Sequence, residues 1–186
     1  YLGSGNGFAK PLQVRRDLGL ALKPALDLKI PLIIGSAGGS GARPHVDKTL
    51  GILRDIAAEQ GLRFRVAVIY SDIDREYLKR VAAEKRIRPC GGAPEFNPDC
   101  IGRLVNPVAQ FGTAPIIEAL KTGADVVLSG RCCDTAVFAA YPVMRGFPAG
   151  LPLHAAKIAE CGALCARPVG ANDSLAVCLR QDSFTV

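Results

Sequence analysis

Four short apolar runs, each ending in glycine or polar residues and each followed by a helical pattern, limit what this chain can fold into. IPLIIG (30–35) leads through SAGGSGARP to HVDKTLGILRDIAAEQ, and FRVAVIY (64–70) leads through SDID to REYLKRVAAEK. GRLVNP (102–107) precedes TAPIIEALKTG, a helix opened by Thr113 with Glu118 inside it and Gly123 beyond its end. ADVVLSG, from Ala124, leads through RCCD to TAVFAA. Runs with no polar face suit strands covered on both sides, as in parallel sheets. Their alternation with helices predicts βαβ units with right-handed connections. The expected fold class is α/β, a Rossmann-like, doubly wound, mostly parallel sheet with helices on both faces.

Around these units, the segment 1–28 carries a glycine-rich start and then a helix, PLQVRRDLGLALKPALDL. PCGGAPEFNPDCI (89–101) reads as an ordered loop or lid, being rich in Pro, Gly and Asn. LPLHAAKIAECGALCA, from Leu151, reads as a helix, and SLAVCLRQDSFTV at the end as a strand. There is no internal repeat, low-complexity tract or firm domain boundary. The expectation is a single α/β domain over residues 1–186, incomplete at both ends, since the chain starts at Tyr1 and stops inside a strand-like run.

The 186 residues suffice for one domain with a substantial core. No apolar run approaches the roughly 18 to 20 residues of a membrane span, so no membrane partner is expected. A net charge of +6 raises nucleic acid as a partner. The basic residues are nevertheless spread along helices among acidic neighbours, as in LRDIAAEQGLRFR, instead of forming a patch interleaved with aromatics. The expected partner is therefore a small anionic molecule and not nucleic acid. The seven cysteines are odd in number and contain no C-x-x-C. That argues against a disulfide scaffold and for a reducing, cytoplasmic setting with mostly buried thiols.

Ligands of open α/β sheets bind at the carboxyl ends of the strands. The rule selects the loops GSAGGSG, YSDID, NPVAQFG and GRCCD, and it predicts that they share one edge. In GSAGGSGARPH, Gly35, Ser36, Gly38 and Gly39 can expose backbone amides to a phosphate or carboxylate ahead of a helix start, or can simply form a tight turn. The loop is neither a Walker loop nor a G-x-G-x-x-G fingerprint. His45 is a candidate acid/base, with a satisfied structural histidine as the alternative. Asp72 and Asp74 can hold a substrate hydroxyl, a ribose or a metal, or can cap the next helix. Arg131 can grip an anion with two parallel hydrogen bonds, while Asp134 can orient a base or cap a helix. Cys132 and Cys133 read as buried small residues before they read as nucleophiles. His154, Lys157 and Cys161 share one helix face, with Glu160 a turn from Lys157. They form either a polar row of acid, base and anion-binding groups or an exposed face with a Lys157–Glu160 pair, with Cys165 extending Cys161 as core packing. No metal set and no cofactor is assigned by these motifs.

YLGSGNGFA, IPLIIGSAGGSGARPH, VAVIYSDID, GADVVLSGRCCDTAVFAA and LHAAKIAECGA, in this order, resemble the N-terminal domain of the acyclic terpene utilisation (AtuA-like) family. The resemblance runs through nearly the whole chain. It implies a longer protein, with a first strand and loop before Tyr1 and more chain after Val186. It also implies a place in bacterial catabolic gene clusters, including those for terpenoid acids handled as coenzyme A thioesters. The family pattern often has an aromatic or small residue after the arginine of GR-x-x-D. Cys132 and Cys133 depart from it, which counts against an essential thiol, while Arg131 and Asp134 fit. The arrangement of His154, Lys157, Glu160 and Cys161 is also kept.

Together these readings point to a catabolic enzyme, a lyase, hydratase or isomerase acting on a small organic acid or acyl-CoA. The glycine loop and Arg131 would hold the anion, and His154 or His45 would move a proton oriented by Asp72 or Asp134. Asp74, Lys157 and Glu160 would assist binding. An oligomer or a partner subunit is expected. The alternative is a non-catalytic ligand-binding subunit of a larger metabolic complex, and a nucleotide-dependent enzyme stands third.

Overall fold

The computed structural model describes residues 6–167, 170 and 173–186. The YLGSG part of the first family motif lies outside them. Three of the four apolar runs form strands: β1 (Leu32–Ile34), β2 (Val66–Ile69) and β3 (Val126–Ser129). They build one parallel sheet in the order β1-β3-β2, in which Leu32 and Val66 both pair with Val126. The strand that comes last in the chain is thus central, and all four of its residues are buried.

Side-chain alternation along β3 divides the core into two layers. Val126 and Leu128 pack with Leu18 and Leu22 of α1 (Pro11–Asp27) and with Val46, Leu53 and Ile56 of α2 (Arg43–Gln60). Val127 faces the other way. It meets Ile116 and Leu120 of α4 (Thr113–Lys121) and Ala136 and Ala140 of α5 (Asp134–Met144). Between α2 and α4 comes the short α3 (Arg75–Ala83), which packs on a 3₁₀ turn at Pro98–Arg103. The chain is therefore mixed α/β, with helices covering both faces of a three-stranded parallel sheet. Neighbouring strands β1 and β3 send their following helices, α2 and α5, to opposite faces. In open α/β sheets a divergence of this kind marks the edge where ligands bind.

Several expectations need correction. GRLVNP is no strand. Its first residues finish the 3₁₀ turn, which Asn97 opens by accepting the Asp99 amide at 2.9 Å and Pro98 continues with a fixed φ. The rest is a loop that bonds singly to its neighbours, and the Arg75 guanidinium donates to the Leu104 carbonyl. The helix from Leu151 is shorter than its apolar pattern suggests. α6 (Gly150–Ala159) stops, and Gly162 at φ +63° turns the chain into a 3₁₀ turn over Gly162–Cys165. The closing strand is a small antiparallel pair, β4 (Cys178–Leu179) with β5 (Phe184–Thr185). The thiols are not mostly buried: Cys132 is the only buried one, and Cys161 and Cys165, read as a core row, are exposed because they follow the end of α6. All seven are free. No helix among the described residues is long and apolar enough to cross a membrane.

Candidate functional site

The three loops after the strands and the NPVAQFG loop, which follows no strand, meet at one edge of the sheet. The Ser36 and Ala37 amides donate to the carbonyls of Gly130 and Ser129 at 3.2 and 3.1 Å. The Ala109 amide donates to the Ser71 carbonyl at 2.8 Å, and the Cys133 amide donates to the Phe111 carbonyl at 2.8 Å. Ser71 closes the cluster from inside. Its buried hydroxyl donates to the Gly41 carbonyl at 3.0 Å and accepts the Arg131 amide at 2.6 Å, so one side chain ties three loops together.

Close approach explains the glycines here. A Cβ on Gly41, at φ +68°, would lie 2.0 Å from the Arg131 nitrogen, and one on Gly35 would lie 2.2 Å from Val137. Gly38, at φ +67°, packs its bare Cα against the His45 ring. Ser36 is a serine with left-handed backbone (φ +48°). It is held there by its own amide bond and by its hydroxyl, which bridges the Cys132 carbonyl (3.2 Å) and amide (3.3 Å).

The start of α2 is not left open to an incoming anion. The Asp72 carboxylate accepts the Arg43 amide at 3.1 Å, Pro44 has no N–H, and the His45 and Val46 amides turn back to the Ala42 carbonyl. The anion that the helix dipole favours is thus supplied by the protein itself. Asp74 caps α3 by accepting the Tyr77 amide at 2.9 Å, the structural alternative for one of the two aspartates. Tyr70, at the end of β2, donates its hydroxyl to Asp47 at 2.6 Å and lies under the Arg43 guanidinium at 3.8 Å. The hydrogen bond to Asp47 raises the Tyr70 pKa, so the phenol keeps its proton.

His45 is 2% exposed. Its Nδ1 lies 2.5 Å from the Ser40 hydroxyl, which also accepts the Ala42 amide at 3.1 Å. Its Nε2 and the Asp72 Oδ2 are buried and have no hydrogen-bond partner among the described residues. Nδ1 being committed to Ser40, Nε2 is the ring atom left to give or take a proton.

Arg131 spends its fork on the protein. Nε and one terminal nitrogen donate to the Cys132 carbonyl (3.2 and 2.8 Å), the other terminal nitrogen donates to the Gly39 carbonyl (3.1 Å), and the pair with Asp134 spans 2.8 Å. What it clamps here is the glycine loop. Asp134 opens α5 and is 62% exposed, whereas the arginine side chain is 22% exposed.

The remaining candidates lie on α6. α5 and α6 pack closely across the short connection 145–149, which brings the end of α6 back toward the start of α5. The Lys157 ammonium pairs with the nearly buried Glu160 carboxylate. The hydrogen bond to Glu160 and then the Glu160 charge hold the lysine pKa above its ordinary value, with smaller contributions from Cys161 and Cys133. Cys133, just ahead of α5, has its pKa lowered, first by the Thr135 hydroxyl at 3.2 Å and, after the opposing effect of burial, by the Thr135 amide and the Gln110 side chain. His154 is exposed, and its ring stands edge-on to Phe184 at 5.2 Å. The strand-end edge thus gathers Gly35–Gly41, His45, Asp72 and the Arg131–Asp134 pair. Lys157 and Glu160 come up beside it on α6, and His154 pairs with the β4–β5 hairpin instead.

Sequence reading missed Ser40 and Ser71. Their only local signal is a small hydroxyl residue beside a strand end, while Ser71's partners are 30 and 60 residues away.

A model of the acyclic terpene utilisation family protein AtuA matches residues 5–147, which take in the whole strand-end cluster and stop short of α6. No curated protein and no solved structure gives a match.

Proposed function

The chain belongs to the acyclic terpene utilisation family, AtuA, and from that premise we propose that it is a catabolic enzyme of bacterial cytoplasm, a lyase, hydratase or isomerase acting on a small organic acid or its acyl-CoA thioester. In this reading the sheet is the core of a Rossmann-like, doubly wound domain, and the crevice between β1 and β3 is its working edge. The observation that carries the reading is a pair of buried atoms at the start of α2, His45 Nε2 and Asp72 Oδ2, with no partner among the described residues. An unpaired buried polar atom costs about 1–3 kcal/mol. Two of them beside one helix start suit a place that substrate completes.

His45 moves the proton through Nε2, with Ser40 fixing the ring and Asp72 orienting the hydroxyl or water that exchanges it. The substrate carboxylate or thioester reaches Arg131 by displacing Asp134. An exposed carboxylate contributes only about 0–1 kcal/mol to such a pair, so the exchange is inexpensive, and the freed Asp134 orients the bound group. Gly35, Ser36, Gly38 and Gly39 shape the floor. Lys157 and Glu160 flank the entrance, and His154, set against the β4–β5 hairpin, gives way to His45 as the proton-moving group.

A second reading, a ligand-binding subunit without catalysis, draws support from Arg131, whose three side-chain nitrogens all donate to the protein itself. The full chain, screened against organic acids and acyl-CoA thioesters for turnover and thermal shift, separates the two. His45→Gln and Asp72→Asn are expected to lower kcat about 100-fold or more while the melting transition persists. Stabilisation by an acid without turnover identifies the binding subunit. Full turnover in both variants overturns the assignment of the proton-moving group.

A further inference from the structure

β1 and β2 are the outer strands of the parallel sheet, and each has one edge that no strand among the described residues pairs. Proteins blunt such edges with a proline, a charge or a bulge. β1 follows Pro31, which has no N–H to offer. β2 carries none of these devices: Val66–Ile69 is wholly apolar and pairs with β3 in unbroken register. The backbone bonds fix which of its groups face outward. The Arg65 carbonyl accepts the Asp125 and Val126 amides, and the Ile69 carbonyl accepts the Gly130 amide, all from the β3 side. Successive residues alternate, so Val66 and Val68 turn their N–H and C=O groups to the open edge.

The side chains of the same two valines pack on the layer that holds α2. There they line a groove of about 420 Å³ with Leu50 and Leu53 of α2 and with Leu62 and Phe64 ahead of the strand. An extended chain laid along β2 would bond to Val66 and Val68 and set every second side chain on the face where the groove lies. Charge narrows the choice of occupant. Arg54 and Arg63 also line the groove, both exposed, and no carboxylate lines it. Neither arginine has an ion-pair partner among the described residues. Asp47, on the same stripe of α2, is occupied by the Tyr70 hydroxyl. A second copy meeting this one edge to edge would bring like charges together, whereas an acidic strand would neutralise them. We propose that the open edge of β2 is a docking site for an extended segment of a partner protein, with alternating apolar side chains and acidic residues at its flanks. The surface does not depend on the reaction proposed for the strand-end cluster.

The test is fluorescence polarisation on the full chain, with a labelled peptide of alternating valine and threonine and a glutamate at each end. Binding is expected with a Kd below about 1 mM. N-methylation of one alternate set of peptide amides, the set that meets β2, should weaken it about tenfold or more, while methylation of the other set leaves it within about twofold. Lysines in place of the glutamates should weaken binding about fivefold, and the double variant Arg54→Glu, Arg63→Glu should reverse that preference. Val68→Pro removes an outward N–H without touching the β3 ladder and should weaken binding about tenfold or more. Where that variant does not fold, the methylated peptides and the charge-reversed chain decide. No binding up to about 1 mM overturns the proposal, whether the edge stays bare or the protein's own chain covers it. Equal binding of the two methylated sets also overturns it, because the groove then takes side chains without adding a strand. So does a dimer, seen by light scattering, that Val68→Pro dissociates, since the edge then belongs to a second copy.

Discussion

At the scale of single residues, the strand-end edge is held by atoms that leave no room for side chains. Gly41 is the sharpest example: its backbone is left-handed and a Cβ would sit 2.0 Å from the Arg131 nitrogen. Gly41→Ala therefore combines conformational strain with a collision against backbone, and each is worth about 1–3 kcal/mol. We expect a loss of about 3 kcal/mol or more, read as a lower urea midpoint at unchanged slope. A loss below about 1 kcal/mol would show that the loop relaxes and that Ser71 does not pin it. The cysteines that catch the eye in GRCCD divide by environment. Cys132 is buried against Ser36 and Ser129 and packs as a small apolar residue, as its sequence context suggested. Cys133 has its thiolate favoured first by the Thr135 hydroxyl, against the effect of burial, and less by Gln110; the sequence reading weighed a depressed pKa at this helix start but looked to the helix terminus and Arg131 for it. Asp72 and His45 were legible as candidates. The reason to prefer His45 over His154 was not, since burial and the Ser40 contact come only with the fold.

At the scale of elements, what was legible followed from length and continuity of pattern. The three strands are unbroken apolar runs next to long helical repeats, and each formed where expected. GRLVNP has the same local appearance but follows Asn97–Pro98 closely and ends in Pro107, and short apolar runs carry no period by which to tell strand from turn. α6 was overextended because Cys161 and Cys165 keep an apolar pattern past Gly162, whose left-handed turn ends it. The aspartates of SDID show how one motif divides between elements. Asp72 serves α2, 29 residues away from Arg43, while Asp74 caps α3 locally. Asp74→Ala should therefore cost ~1 kcal/mol and leave ligand affinity and turnover unchanged. Denaturant unfolding together with the acid-binding assay checks both halves. Lost affinity at unchanged stability would return Asp74 to the substrate.

At the scale of the molecule, the order β1-β3-β2 was not legible, because it depends on which strand the two helical layers leave for the centre. Its consequence is cooperative. β3 gives Val126 and Leu128 to the layer with α1 and α2, and Val127 to the layer with α4 and α5, so the two cores share their central strand. Leu128 is fully buried, and Leu128→Ala removes side-chain volume from the first layer alone, at about 2–5 kcal/mol. If the layers unfold as one unit, the loss reaches amides that never touch Leu128. Hydrogen exchange is then expected to speed up by the same factor in α2 and in α4, provided both exchange through global opening. Ile116→Ala, fully buried in the other layer, should do the same from the opposite side. Faster exchange confined to α1 and α2 in the first variant, and to α4 and α5 in the second, would mean that each helical layer opens from β3 by itself. The strand-end edge, which takes its residues from both layers, would then be only as stable as the weaker of them. Coincident acceleration would instead tie Gly41, His45, Asp72 and Arg131 to one folding event.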